Sequence, residues 1–249
     1  MVSSLKQREC ATVTEIKGSP RNHYGELIVD FENAIRIAYP NLDFEYSSPG
    51  CHGGSPDIRL LQRDNRWILQ LPYGKYVSNK HFHTCGYGLL AVENARDCKL
   101  NLAGKPLYLL TGRAYNGDYR SLTKSYYLFG QNEDQSFFLH RIRPSVGEQG
   151  DLNLCRKWIW QLKDGEKILA RQGDLAFIRQ KKEPLGIPLD ASRISFGNHV
   201  VTAHSWRKSK GGRLFAFNPI AHHGEHQIVT VEGWVEMRLA RAWRSRSAD

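Results

Sequence analysis

The chain has no apolar run approaching the ~20 residues that cross a bilayer as a helix, and its longest apolar stretches are only a handful of residues. A membrane-spanning helix is therefore not expected. The first residues, Met-Val-Ser-Ser-Leu-Lys-Gln-Arg-Glu-Cys, lack the apolar stretch and small-residue cleavage site of a secretory leader, which sets the expectation of a cytoplasmic protein without a membrane partner. Cysteine is scarce. Cys10, Cys51, Cys85, Cys98 and Cys155 are odd in number and form no Cys-x-x-Cys pair, so neither a disulfide scaffold nor a zinc ribbon is expected. Cys51-His52 and His81-Phe-His83-Thr-Cys85 could converge on a metal, or could decorate two glycine-rich turns. There is no phosphate-binding loop with a Gly-Lys-Ser/Thr ending, no Gly-x-Ser-x-Gly elbow, no internal repeat and no low-complexity tract.

What is present is an ordinary globular composition with a basic bias. At 249 residues, with 41% hydrophobic and 24% charged side chains, the chain can bury a proper core in one large or two small domains. The net charge is +10. Residues 1–50 hold five basic against seven acidic side chains, and the rest holds thirty against eighteen. A surplus of that size points to a polyanionic partner, nucleic acid first, because neutralising phosphates supplies most non-specific binding energy. Association with a larger protein assembly is a further expectation.

Apolar spacing predicts an α+β fold. Leu27, Phe31, Ala34, Ile35 and Ala38 recur at three- and four-residue steps, so an acidic amphipathic helix is expected over 24–39, stopped by Pro40. Strand-like runs follow at 42–46, 57–61, 66–71, 106–112, 124–130 and 136–143, with Gln131–Gln135 as a hairpin loop between the last two. Period-two alternation puts Phe138, His140 and Ile142 on one face of the last run, which makes His140 a core imidazole. A break at Pro144–Gly150 divides the chain into an α+β domain over 1–145 and a second domain over 146–249. The latter opens with a helix over 151–162, capped by Asp151, with Leu152, Cys155, Ile159 and Leu162 inward, the tryptophans as packing anchors and Arg156 and Lys157 solvated.

Beyond Arg171 the pattern predicts a small β barrel or curled sheet, with strands at 174–179, 199–206 and 213–218 and a final hairpin over 227–240 turned at Glu232-Gly233. In its last strand Val235, Met237 and Leu239 would face inward and Glu236, Arg238 and Ala240 outward.

Two clusters carry chemistry. Arg113, Tyr115, Tyr119, Arg120 and Lys124 crowd one loop, and with Arg141 and Arg143 on the following strand they make a candidate nucleic-acid surface, since guanidinium groups clamp phosphates and aromatic faces stack on unpaired bases. A solvated loop is the plain alternative. The second cluster holds half of the chain's ten histidines: His199, His204, His222, His223 and His226, with Glu225 among them. Imidazole titrates near neutral pH and is the commonest nitrogen ligand for transition metals. On one unbroken strand His199 and His204 point to opposite faces, so only one joins a given site, and His204 is expected with His223 and His226, which a turn at Gly224 would aim together.

Three readings stay open for that cluster. His204, His223 and His226 would bind a divalent metal such as zinc, whose fourth position holds a water activated for phosphodiester hydrolysis, with Glu225 as base or outer support. Alternatively, two histidines would act as acid and base on RNA without a metal. In the third, the cluster braces a β turn and the protein is a non-catalytic nucleic-acid-binding or assembly module.

The run Arg171-Gln-Gly-Asp174, then Val201-Thr-Ala-His204-Ser-Trp206, then His223-Gly-Glu-His226 with Ile228 and the Gly233 turn, resembles a widespread group of small uncharacterised bacterial and phage-borne proteins. Those carry Arg-Gln-Gly-Asp, Gly-His-x-His and His-x-Glu-His motifs and a Pro-x-Gly-Tyr turn. Ala203 stands at the glycine, Trp206 at the second histidine and Val231-Glu-Gly-Trp234 at the turn. The resemblance spans roughly 171–243 and implies where a site lies, but no reaction.

Overall fold

The computed structural model describes residues 31–47, 57–72, 85–93, 106–115, 122–132, 135–224 and 226–241. In chain order the elements are α1 (Phe31–Ala38), β1 (Leu42–Ser47), β2 (Arg59–Arg63), β3 (Arg66–Pro72), β4 (Cys85–Glu93), β5 (Leu107–Tyr115), β6 (Leu122–Gln131) and β7 (Phe137–Ile142). Two short helices, α2 (Pro144–Gly147) and α3 (Leu152–Ile159), lead to β8 (Ile168–Gln172), β9 (Leu175–Arg179), β10 (Ile187–Leu189), β11 (Arg193–Phe196) and β12 (His199–Thr202). The chain continues through β13 (Ser205–Lys208), β14 (Leu214–Phe217), β15 (Ile220–His223), β16 (His226–Thr230) and β17 (Trp234–Leu239).

The α+β expectation is overturned: the described residues are mostly β, 55% strand against 12% helix. Its four sheets run in the orders β1-β3-β2, β4-β5-β6-β7, β10-β13-β14-β17-β9-β8 and β11-β12-β15-β16. None closes into a barrel among the described residues. The described part of the amphipathic helix is eight residues long; 24–30 lie outside the described residues.

The sheets stack as layers on the four strands β4 to β7. One face of that sheet, with Leu89, Tyr108, Leu110, Tyr127, Phe129 and Phe137, packs on Ile35 and Tyr39 of α1 and on Leu69 and Leu71 of β3. The other face, with Ala91, Leu107, Leu109, Tyr126, Leu128 and Phe138, packs on α3 and on Ile168, Ala176 and Ile178 of β8 and β9. A strand buried on both faces needs no polar alternation, which is why Leu107-Tyr-Leu-Leu110 reads as a continuous apolar run. The third core lies between the last two sheets, where Phe177, Trp206, Ala216 and Val235 meet Val201, Ala221 and Val229.

Two local expectations fail for the same reason. Glu236 and Arg238 are buried along with Val235 and Met237, and Arg156 is 2% exposed, because α3 and the segment after it cover the second face of β9 and β17. The charges go inside as a network. Arg238 donates from Nη1 and Nη2 to Glu166 (2.7 and 2.9 Å), from Nε and Nη2 to Glu236 (2.8 and 2.9 Å) and from Nη1 to the Gln161 carbonyl (2.8 Å). Asp151 does cap α3, accepting from the backbone N–H groups of Asn153 and Leu154.

The final hairpin is also absent. β16 pairs with β15, whereas β17 lies in the other sheet between β14 and β9, so the chain crosses between sheets at Val231–Gly233. The same kind of crossing splits the expected strand over 199–206 into β12 and β13, which belong to different sheets. No helix among the described residues is long and apolar enough to cross a membrane.

Candidate functional site

The histidine cluster forms where the edges of the last two sheets approach each other, β8 beside β16. Gln172 and Leu175 pair across the β8–β9 hairpin, leaving Gly173-Asp174 as a two-residue turn. Gly173 has φ +58°, the left-handed conformation that a glycine adopts at no steric cost. Gln172 reaches across the gap, its Nε2 donating to the carbonyls of Ala221 (3.0 Å) and Gln227 (2.6 Å) on β15 and β16.

The register brings three imidazoles into a row across β12, β15 and β16. Val200 pairs with His222 and Val201 with Ala221, so His199 comes level with His223, and His223 pairs directly with His226. The ring centres of His199 and His223 are 4.9 Å apart, those of His223 and His226 4.7 Å, and those of His199 and His226 6.4 Å. His199 is 1% exposed, while His223 and His226 are half-buried.

Two hydrogen bonds fix the orientation of the His199 ring. Because both Gln172 amide hydrogens point at backbone carbonyls, its Oε1 faces His199 Nδ1, 3.0 Å away, and Nδ1–H donates to it. His199 Nε2 lies 2.8 Å from Asp174 Oδ1. That hydrogen bond holds the Asp174 carboxyl below its ordinary range, against the opposing effect of partial burial. Both ring nitrogens of His199 are thus engaged within the site, one by Gln172 and one by Asp174, and its place there is to hold these elements together. The Asp174 contact lapses when the carboxylate is protonated, so stability gained from it is present above the ordinary aspartate range and is lost on acidification below about pH 4.

His204 stands elsewhere. β12 ends at Thr202 and the chain then crosses to the other sheet, so His204 lies at the far end of β12 from His199, roughly 15 Å of extended chain away. It is exposed, it accepts from Asn218 Nδ2 at 3.2 Å, and its ring is 6.3 Å from Phe217. The chain is not one unbroken strand over 199–206: it breaks at Ala203-His204, so strand parity does not relate His199 to His204. His223 and His226 do come together, joined by His199. Glu225 lies outside the described residues. Among the described residues no three His, Cys, Asp or Glu side chains are arranged to hold a metal ion.

No family model matches the chain, and no curated protein or solved structure matches it either. The site therefore rests on its own geometry. Gln172, Gly173 and Asp174 were legible only as the Arg171-Gln-Gly-Asp174 run in the resemblance, with nothing in the spacing to join them to His199. Gly173 is held to its identity twice over, since a β-carbon there would be strained at φ +58° and would lie 2.6 Å from His226 Nε2. Gly173→Ala is expected to destabilise the protein by about 1–3 kcal/mol and to displace the His226 ring. Urea unfolding, with the His226 imidazole resonances followed by NMR, checks both effects.

The aromatic and basic candidates divide. Arg113 and Tyr115 lie on β5, with Arg113 opposite Lys124 of β6, while Tyr119 and Arg120 are outside the described residues. Arg141 is engaged within the protein, donating to Ser125 Oγ at 2.9 Å and paired with Asp57 at 3.3 Å. Arg143 is exposed at the start of α2.

His140 faces the core as its parity requires, tilted against Phe138 and edge-on to Trp160, but its sealed Nε2 finds no hydrogen-bond partner among the described residues. Burial brings its pKa down to about 4, the Arg171 guanidinium pushes the same way and Asp174 opposes. The unfolded chain therefore binds this proton first, and stability falls as pH drops from about 6.5 to about 4, by on the order of 3 kcal/mol. Urea midpoints measured across that window should fall in the native protein and stay flatter in His140→Leu.

Proposed function

We propose that this protein binds RNA and cleaves its phosphodiester backbone by acid–base catalysis at the His223–His226 pair. The observation that carries the reading is the packing of two half-buried imidazoles, 4.7 Å between ring centres, beside a third whose two nitrogens are both tied to acceptors. Paired imidazoles near neutral pH supply a proton acceptor and a proton donor to one reaction centre.

In the step this pair supports, the neutral imidazole takes the proton of a ribose 2′-hydroxyl as that oxygen attacks the adjacent phosphorus. The P–O5′ bond breaks, the protonated imidazole gives its proton to the departing 5′-oxygen, and a 2′,3′-cyclic phosphate remains. Charge builds on the non-bridging phosphate oxygens during the attack, and a protonated His199 beside the pair would stabilise it. Asp174 and Gln172 hold the His199 ring in place. The surplus of thirty basic over eighteen acidic residues after Gly50 suits a polyanionic substrate.

A non-catalytic reading has its own support. The Gln172, His199 and Asp174 contacts join β8, β12, β15 and β16, which braces the sheet edges whether or not any reaction occurs. Purified protein incubated with a labelled RNA and with the same sequence as DNA, both in excess chelator, separates the possibilities. Cleavage of RNA alone is the expected result. Loss of cleavage in chelator would move the reading to a metal-dependent hydrolase, and salt-sensitive binding without cleavage would leave a binding module.

A further inference from the structure

A second site lies in the amino-terminal layer and owes nothing to the histidines. A cleft of about 500 Å³ opens between the β1–β3 pair and the β6–β7 turn, within the size range of ligand clefts. Its walls carry Asn41, Asp43, Arg66, Trp67, Gln131 and Gln135. The Trp67 indole is set edge-on against Phe137, ring centres 5.9 Å apart at 66°, so a buried aromatic ring holds it in place. Gln131 Nε2 donates to the Gln135 carbonyl at 2.7 Å, which steadies that wall.

The chemistry of these walls selects a ligand class. Amides present donors and acceptors side by side, the complement of adjacent hydroxyl groups, each of which both donates and accepts. Indole offers a rigid apolar face with a polar handle. The one guanidinium, Arg66, is 3.8 Å from the Asp43 carboxylate, so the described lining has no surplus cation to neutralise phosphates, as an RNA-binding cleft requires. An apolar ligand would strip water from several amides without replacing their hydrogen bonds. A ring with an apolar C–H face and an equatorial rim of hydroxyls meets both demands.

We infer that this cleft binds a neutral saccharide, with Trp67 under the sugar ring and the Asn41, Gln131 and Gln135 amides on its hydroxyls. The test is saturation-transfer NMR and calorimetry of the full chain with tetramers of β-1,4-glucose, α-1,4-glucose, β-1,4-mannose and β-1,4-N-acetylglucosamine, at low and high salt. At least one tetramer should bind, with an affinity that salt does not change. Trp67→Ala should weaken it by at least about tenfold, the loss of roughly 1.4 kcal/mol of contact. Because Trp67 also packs on Phe137, Asn41→Ala at an exposed position serves as the second variant and should weaken binding with an unchanged circular dichroism spectrum. Absence of binding by all four tetramers at millimolar concentration overturns the inference. So does binding indifferent to both substitutions, or polyuridine binding that depends on Trp67 and Asn41.

Discussion

His226→Ala and His223→Ala are each expected to slow RNA cleavage by roughly 10²–10⁴-fold, the usual contribution of a positioned acid or base. The double variant should be scarcely slower than either single one, because the two imidazoles serve one transition state and their losses do not add. The geometry also says which histidine is dispensable. His204 accepts from Asn218 at the other end of β12, so His204→Ala should leave the rate unchanged. His222 is likewise outside the row: it pairs with Val200 and is exposed. Asp174→Asn takes away the carboxylate that holds His199 Nε2, frees that ring against His223 and His226, and should lower the rate while leaving RNA affinity intact. Rates from labelled RNA under single-turnover conditions, with affinity measured separately, check the whole series. Equal losses from His204→Ala and His226→Ala would contradict it.

Arg238→Ala should cost about 3–5 kcal/mol of folding stability, the characteristic penalty for removing one partner of a buried ion pair. Glu236, 3% exposed, would keep only the Arg213 contact at 3.4 Å among the described residues. Glu166 would keep only its local Lys163 N–H contact among the described residues, and the Gln161 carbonyl would lose the Arg238 donor at the same time, freeing the segment after α3 from β17. The corresponding fall in melting temperature is on the order of 10 °C for a chain of this size. Arg238→Met combined with Glu236→Leu removes both charges at comparable volume and should recover most of the loss, since buried pairs replaced together by apolar groups are often neutral. Calorimetric melting of the three proteins tests this. A double variant as unstable as Arg238→Ala would show that the network does more than balance its own charges.

What could be read from the sequence was local. Strand positions at 42–46, 66–71, 124–130 and 136–143 reappear with ends shifted by a residue or two, and the Asp151 cap is where its side chain requires. Alternation and capping are short-range physics, and they survive folding. The mistakes concern which layers meet. Arg156, Glu236 and Arg238 were placed in solvent because a polar side chain beside an apolar stripe ordinarily belongs there, and no pattern along the chain announces that α3 will cover that face. A small barrel or curled sheet was expected because five strands leave edges to close, whereas the protein packs two open sheets and ties β8 to β15 and β16 through Gln172.

The candidate site followed the same division. His223 and His226, three residues apart across a turn, were recognisable as partners. Their third member was misjudged, because choosing between His199 and His204 depends on a strand break at Ala203-His204 that the β-rich run conceals. Gln172 and Asp174 meet His199 across 27 and 25 residues of chain, a separation that only the fold can close.

The most direct measurement of the central claim is the chemical identity of the new RNA end, read by mass spectrometry after incubation with purified protein in chelator beside the His223→Ala/His226→Ala double variant. A 2′,3′-cyclic phosphate made by the native protein and not by the variant is the predicted result. A linear 3′- or 5′-phosphate as the first-formed end, or the same cyclic end at the same rate from the variant, would contradict acid–base cleavage at this histidine pair.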